Sequence, residues 1–129
     1  MKQEQLPQIS EAEYEIMKII WNKNPLSTND VCQEISNSHD WSPKTVHTLL
    51  SRLYNKKAVT YEKKNRMYYY SPLIRQEDYL NQENNTFLNR FYNGKVGSMF
   101  STFLNEKNLS EQELEELYEM LREKLHPGD

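Results

Sequence analysis

The chain has 129 residues, 36% of them hydrophobic and 27% charged, with a formal net charge of −3 at pH 7 and one cysteine. That length allows one small domain with a true core plus an extension, and excludes two large domains. Cys32 alone excludes an internal disulfide, and the sequence holds neither a charged-then-apolar leader nor a run of about 18 apolar residues, so a cytoplasmic protein with no membrane insertion is expected. His39, His47 and His126 are scattered and Cys32 has no partner at ligand spacing. No metal and no cofactor are therefore expected. No nucleophile with a nearby base and no glycine-rich phosphate cradle occur, so an enzyme is not expected either.

Ser10 and Glu13 form a capping box ahead of a first helix, with Ile9 and Tyr14 as a hydrophobic staple and Ile16, Met17, Ile20 and Trp21 as its buried stripe. Asn24-Pro25 ends it, because a residue before proline is pushed out of the helical region. Ser27 with Asp30 caps a second, short helix whose Val31 and Ile35 reach the core. Ser42 and Pro43 start a third: Ser is a natural N-cap, and Pro at the first helical position loses no hydrogen bond. At about 100° per residue, Val46, Leu49, Leu50, Leu53 and Tyr54 fall on a core-facing side of this helix. Lys44, Thr45, His47, Thr48, Ser51, Arg52, Asn55 and Lys56 fall on the other. Residues 42 to 57 contain no acidic residue, whereas an ordinary surface helix mixes signs.

After Lys57 the period changes to two. Ala58 to Glu62 and Met67 to Ser71 read as strands joined by Lys63-Lys64-Asn65-Arg66, a basic-tipped hairpin. Three helices followed by such a hairpin describe a winged helix-turn-helix, in which the third helix enters the major groove and the hairpin touches the flanking backbone. On this reading Lys44, Thr45, His47, Thr48, Ser51 and Arg52 face DNA from the helix, and Lys63, Lys64 and Arg66 contact phosphates from the wing. At least one of Tyr68, Tyr69 and Tyr70 is expected to fill the core, and none is assigned to DNA. The charge distribution agrees with this placement. Residues 44 to 75 carry eight basic groups and one acidic, net +7, between segments of net −4 and −6, the electrostatic footprint of a phosphate-binding face.

Pro72 ends the hairpin, and Gln76 to Tyr92 return to helical spacing with Phe87, Leu88, Phe91 and Tyr92 on one stripe. Asn93-Gly94 breaks that helix. Ser98 to Leu104 form another, carrying Met99, Phe100, Phe103 and Leu104; Ser110 and Glu113 cap a last one with Leu114, Leu117, Leu121 and Leu125. Three short amphipathic helices bury such stripes poorly against one another, which points to self-association. The expected architecture is mainly α: a winged helix-turn-helix over residues 1–74 and a small helical dimerisation domain over 75–129. The dimer contacts are expected from Phe87, Leu88, Phe91, Tyr92, Met99, Phe100, Leu114, Leu117 and Leu121. A winged-helix module that binds protein instead of DNA stays open as an alternative, since one fold hosts many functions.

Four segments, Ile-Ser-Glu-Ala-Glu, Ile-Met-Lys-Ile-Ile-Trp, Trp-Ser-Pro-Lys-Thr-Val-His-Thr-Leu-Leu-Ser-Arg-Leu and Phe-Leu-Asn-Arg-Phe-Tyr-Asn-Gly, resemble the BlaI/MecI penicillinase repressor family through nearly the whole chain. The resemblance implies a cytoplasmic homodimer that binds a palindromic double-stranded operator and represses β-lactam resistance genes. It also implies release by proteolysis, triggered by a membrane-bound sensor metalloprotease. Lys44, Thr45, Thr48 and Arg52 match family DNA-contacting positions, and Lys63, Lys64 and Arg66 fall in the wing. His47 stands where staphylococcal members place an arginine, which exchanges a bidentate donor for an imidazole and leaves base preference there open. The family cleavage point, an Asn-Phe bond, corresponds here to Thr102-Phe103, so control by the same protease and control of an unrelated operon both stay open. A copper-responsive branch carries a cysteine cluster near its C-terminus, and this sequence has no cysteine after Gln76.

Overall fold

The computed structural model describes residues 5–106 and 108–128. The chain forms two compact units, one ending at Glu83 and the other starting at Asn84. The first contains α1 (Glu11–Asn22), β1 (Leu26–Ser27), α2 (Thr28–Ile35), α3 (Pro43–Asn55), β2 (Val59–Lys64), β3 (Met67–Pro72) and the start of α4 (Gln76–Tyr92). The second contains the rest of α4 with α5 (Val96–Glu106) and α6 (Glu111–Leu125). The mainly helical winged helix-turn-helix read from the sequence is the fold observed.

The helices start where their caps require. Ser10 Oγ accepts from the Glu13 N–H at 3.1 Å while Glu13 Oε1 accepts from the Ser10 N–H at 2.8 Å. Ser27 and Asp30 repeat this reciprocal pattern at 3.1 and 3.2 Å, and Ser110 and Glu113 do so at 3.1 and 3.0 Å. Ser42 Oγ accepts from the Thr45 N–H at 3.1 Å, with Pro43 at the first helical position. Each cap satisfies a backbone donor that a helix start otherwise leaves to water.

The core of the first unit is assembled from one stripe of each helix. Ile16, Met17 and Ile20 of α1, Val31 and Ile35 of α2, and Val46, Leu50 and Leu53 of α3 are all buried, with Ala58, Val59 and Tyr70 closing the sheet side. The sheet has the order β1-β3-β2, all antiparallel. Strand β1 escapes sequence reading because two residues carry no period, and one of them, Ser27, also serves as the α2 cap. Residue 54 departs from expectation: Tyr54 lies at the edge of the apolar arc of α3 and is exposed rather than buried.

A Schellman motif ends α3. The Ala58 N–H donates to the Leu53 carbonyl at 2.9 Å and the Lys57 N–H to the Tyr54 carbonyl at 3.0 Å, with Lys57 at φ 65°. The left-handed conformation is costly for any residue with a Cβ. Lys57→Gly is therefore expected to stabilise the fold by about 0.5–1 kcal/mol, raising the thermal midpoint by roughly 2–8 °C. A melting curve with an unchanged or lowered midpoint would contradict this.

The expected domain break lay at residues 74–75, whereas the compact units divide at Glu83 and Asn84. The first turns of α4 are held by the winged helix. Tyr79 is buried, its ring centroid lies 5.9 Å from Tyr14 and 6.2 Å from Trp21, and its hydroxyl donates to the Ile9 carbonyl at 3.5 Å. The Gln82 amide exchanges two hydrogen bonds with the Leu6 backbone, at 2.8 and 3.2 Å. The second unit is different in kind: among its described residues none is buried. Phe87, Phe91, Phe100, Leu114 and Leu121 are exposed, while Leu88, Tyr92, Met99 and Leu117 are half-buried. Helix α5 is longer than the expected Ser98–Leu104 by about half a turn at each end.

Candidate nucleic-acid interface

The outward arc of α3 is built from residues that cannot serve the core. Taken around the helix at about 100° per residue, the exposed side chains run His47, Ser51, Lys44, Asn55, Thr48, Arg52 and Thr45, all on the solvent side. His47 and Ser51 form its edge toward the hairpin, where they share an open cleft of about 320 Å³ with Tyr54, Tyr61, Tyr68 and Tyr70. The Thr48 hydroxyl donates to the Lys44 carbonyl at 3.0 Å. Its proton is thus engaged within the helix, and its free lone pairs suit the amino groups that adenine and cytosine present in a major groove.

The hairpin turns on two residues, not four. Asn65 and Arg66 have φ 51° and 69°, the left-handed pair that two-residue turns between twisted strands favour. Lys63 and Lys64 therefore belong to β2, opposite Tyr68 and Met67 of β3. Alternation along a strand then separates them. Lys63 shares a face with Tyr61, Tyr68 and Tyr70, the face that meets α3 through the Tyr54–Tyr61 ring contact at 4.7 Å. Lys64 lies on the reverse face beside Glu62, 3.7 Å away. Arg66 sits at the tip. Among the described residues, Lys44, Arg52, Lys63 and Arg66 have no carboxylate within ion-pair distance, so their charge is available to a polyanion.

Lys56, read from the sequence as part of the outward face, has another role. Its Nζ lies 2.5 Å from Glu13 Oε1 and donates to the Gln8 carbonyl at 2.9 Å, tying the end of α3 to the start of α1. Burial pushes the Glu13 carboxyl up, but the Lys56 hydrogen bond, the Ser10 N–H and the Lys56 charge outweigh it and hold the group below the usual carboxylate range. The sequence reading also missed Tyr54 and Tyr61 as part of the α3–hairpin surface. The available signal was the alternation Tyr61-Glu62-Lys63, which places an aromatic and a cation on one side of a strand. Among the described residues no cluster of His, Cys, Asp and Glu could hold a metal ion, and no helix is long and apolar enough to cross a membrane.

The fold and this surface define a winged-helix protein with an exposed third helix free of acidic residues and a basic wing. The family described as penicillinase repressor matches residues 9–123. The penicillinase repressor of Bacillus licheniformis is 46% identical over 118 residues, covering 92% of each chain. The methicillin resistance regulatory protein MecI of Staphylococcus aureus is 38% identical over 117 residues, covering 91% of this chain and 95% of that one. Among solved structures, the DNA-binding domain of the repressor BlaI superposes with a TM-score of 0.53 at 44% identity, covering 60% of this chain and 94% of that one. The Bacillus licheniformis BlaI monomeric form in complex with the blaP half-operator superposes with a TM-score of 0.51 at 45% identity, covering 58% and 92%. The chain belongs to the penicillinase repressor family, whose members are repressors and not enzymes.

Proposed function

We propose that this chain is a cytoplasmic, homodimeric transcriptional repressor that binds a palindromic operator in double-stranded DNA and controls β-lactam resistance genes. The observation that carries this reading is the exposed arc of α3, free of acidic residues and flanked by the unneutralised Lys63 and Arg66 of the hairpin. Lys44, Thr45, His47, Thr48, Ser51 and Arg52 enter a major groove, while Lys63 and Arg66 hold the flanking backbone. Lys64, on the reverse face of the hairpin, contributes long-range attraction. The unit that starts at Asn84 carries the dimer interface, and a two-fold pair sets the reading helices about 34 Å apart, one helical turn of DNA. Bound over a promoter, the dimer excludes polymerase.

Binding-site selection from random duplex tests this. A two-fold-symmetric sequence is the expected product. Arg52→Ala and Lys63→Ala should weaken selected and random duplex alike, by about tenfold each, because both residues serve phosphates. Thr48→Ala should instead narrow the gap between the two. Absence of any enriched sequence, or the reverse pattern among the variants, would contradict the assignment, and a complete lack of duplex binding would favour the protein-binding alternative.

Relief of repression is proposed to follow cleavage of Thr102-Phe103 by a membrane sensor metalloprotease. Both residues are exposed on α5, and the Thr102 hydroxyl donates to the Ser98 carbonyl at 3.0 Å. Helical backbone must open to the extended form before a protease can take it, so the site is protected while α5 is intact. A second reading, the same kind of repressor serving an unrelated operon, is favoured by the threonine at that bond. Fragment masses after exposure to membranes from β-lactam-treated cells distinguish the two: cleavage after Thr102 supports the first, an intact chain the second.

A further inference from the structure

We propose that Tyr54, Tyr61 and Tyr68 form an uncharged strip that grips the sugar–phosphate backbone of duplex DNA at the seam between α3 and the hairpin. This rests on the DNA-binding reading above. The three rings come from three elements, the end of α3, β2 and β3, and lie in a row with centroids 4.7 Å apart from Tyr54 to Tyr61 and 4.8 Å apart from Tyr61 to Tyr68. The core does not require them, since Tyr70 on the same face is the one that is buried. Tyr54 is 43% exposed, and Tyr61 and Tyr68 are 36% exposed each. Contiguous exposed aromatics with polar tips mark a contact surface.

Their surroundings specify the partner. His47 and Ser51 of the reading helix line the same cleft, and the Lys63 ammonium stands 5.7 Å from the Tyr68 ring centre. The strip therefore bridges the groove-facing helix and the cationic wing, where a duplex docked on α3 carries its backbone across the surface. Phenol hydroxyls donate to phosphate oxygens without bringing charge. The charge of the neighbouring Tyr54 phenol raises the Tyr61 pKa, as do burial, a hydrogen bond with Tyr54 and the charge of Tyr68, which favours the neutral phenol.

Neutral contacts have a signature that cationic ones lack: they add affinity without releasing counterions. The test measures the affinity of the full chain for its selected duplex across a salt series. The variants are wild type, the triple variant Tyr54→Phe/Tyr61→Phe/Tyr68→Phe, and Lys63→Ala. The phenylalanines keep the ring row and remove only the hydroxyls. The expected result is a triple variant with an unchanged melting temperature, roughly ten- to a hundredfold weaker binding and the wild-type log–log slope, while Lys63→Ala lowers the slope by about 0.9. Phosphate-ethylation interference supplies the second measurement: the backbone positions that the phenols contact should cease to interfere in the triple variant, while those held by Lys63, Arg66 and Arg52 continue to do so. Wild-type affinity in the triple variant, or unchanged ethylation interference, overturns the strip and leaves a purely structural brace. Failure of wild type itself to bind any duplex overturns the DNA-binding reading beneath it.

Discussion

Phe91→Asp with Leu121→Asp is expected to turn the protein into a monomer that keeps a folded winged helix and loses most of its operator affinity. Both side chains point into solvent, 58% and 62% exposed, so aspartate costs little within the protomer itself. In a dimer interface the same carboxylates would be stripped of water with no partner. The second unit has no buried residue among those described, although it carries Phe87, Phe91, Phe100, Leu114, Leu121 and Leu125 as exposed apolar side chains. The proposed dimer would cover these exposed apolar side chains. Linking two reading heads makes the second half-site encounter intramolecular, worth about 10²–10⁴ in affinity. Sedimentation should show a single monomeric species. Affinity for the palindrome should fall by about that factor, while affinity for one half-site stays unchanged. A dimer that persists in the variant would refute the interface.

The second large effect is expected from Lys56→Met. Glu13 is 1% exposed, and its carboxylate accepts from the Ser10 N–H and pairs with Lys56. Removing the ammonium leaves a buried carboxylate with its desolvation uncompensated. Breaking a fully buried pair costs about 3–5 kcal/mol, and because water reaches Lys56 the cost here is placed at about 2 kcal/mol. For a unit of this size that lowers the thermal midpoint by roughly 8–16 °C. The same pair fixes a pH dependence. The folded-state pKa of Glu13 is depressed, so the folded state binds this proton less readily than the unfolded chain. The stabilisation is complete above the ordinary carboxylate range and is lost as pH falls through the lower folded value. Wild-type stability should thus drop on acidification below about pH 4.5, and Glu13→Gln should flatten that part of the profile. Thermal melts at pH 7 and pH 3.5 measure both effects. A midpoint within 2 °C of wild type for Lys56→Met at pH 7, taking the roughly 0.5 kcal/mol this represents as the threshold, would contradict the assignment.

The helices were legible because their signals are local. Ser10, Ser27, Ser42 and Ser110 each announce a start within a few residues, and the stripes Ile16-Met17-Ile20 and Val46-Leu49-Leu50-Leu53 repeat at the helical period through several turns. The hairpin was legible in outline only. Four polar residues in a row do not reveal where pairing stops, and the left-handed conformations of Asn65 and Arg66 shortened the turn and moved Lys63 and Lys64 onto opposite faces of the ribbon. The roles of Tyr54 and Lys56 were not legible. Tyr54 sits where apolar and polar arcs meet, and only the approach of Tyr61 from a separate strand decides that it belongs to the surface. Lys56 is diverted by a carboxylate 43 residues away in sequence, a pairing that depends on the packing of α1 on α3.

On the proposed function, α3 and the inner face of the hairpin together hold a duplex. The most direct measurement is a titration of the isotope-labelled protein with its selected duplex, following backbone amide shifts residue by residue. The large changes should cluster from Ser42 to Lys57 and from Tyr61 to Tyr68. Changes confined to the cleft lined by Glu15, Lys18, Glu34 and His39, with the third helix unperturbed, would contradict this.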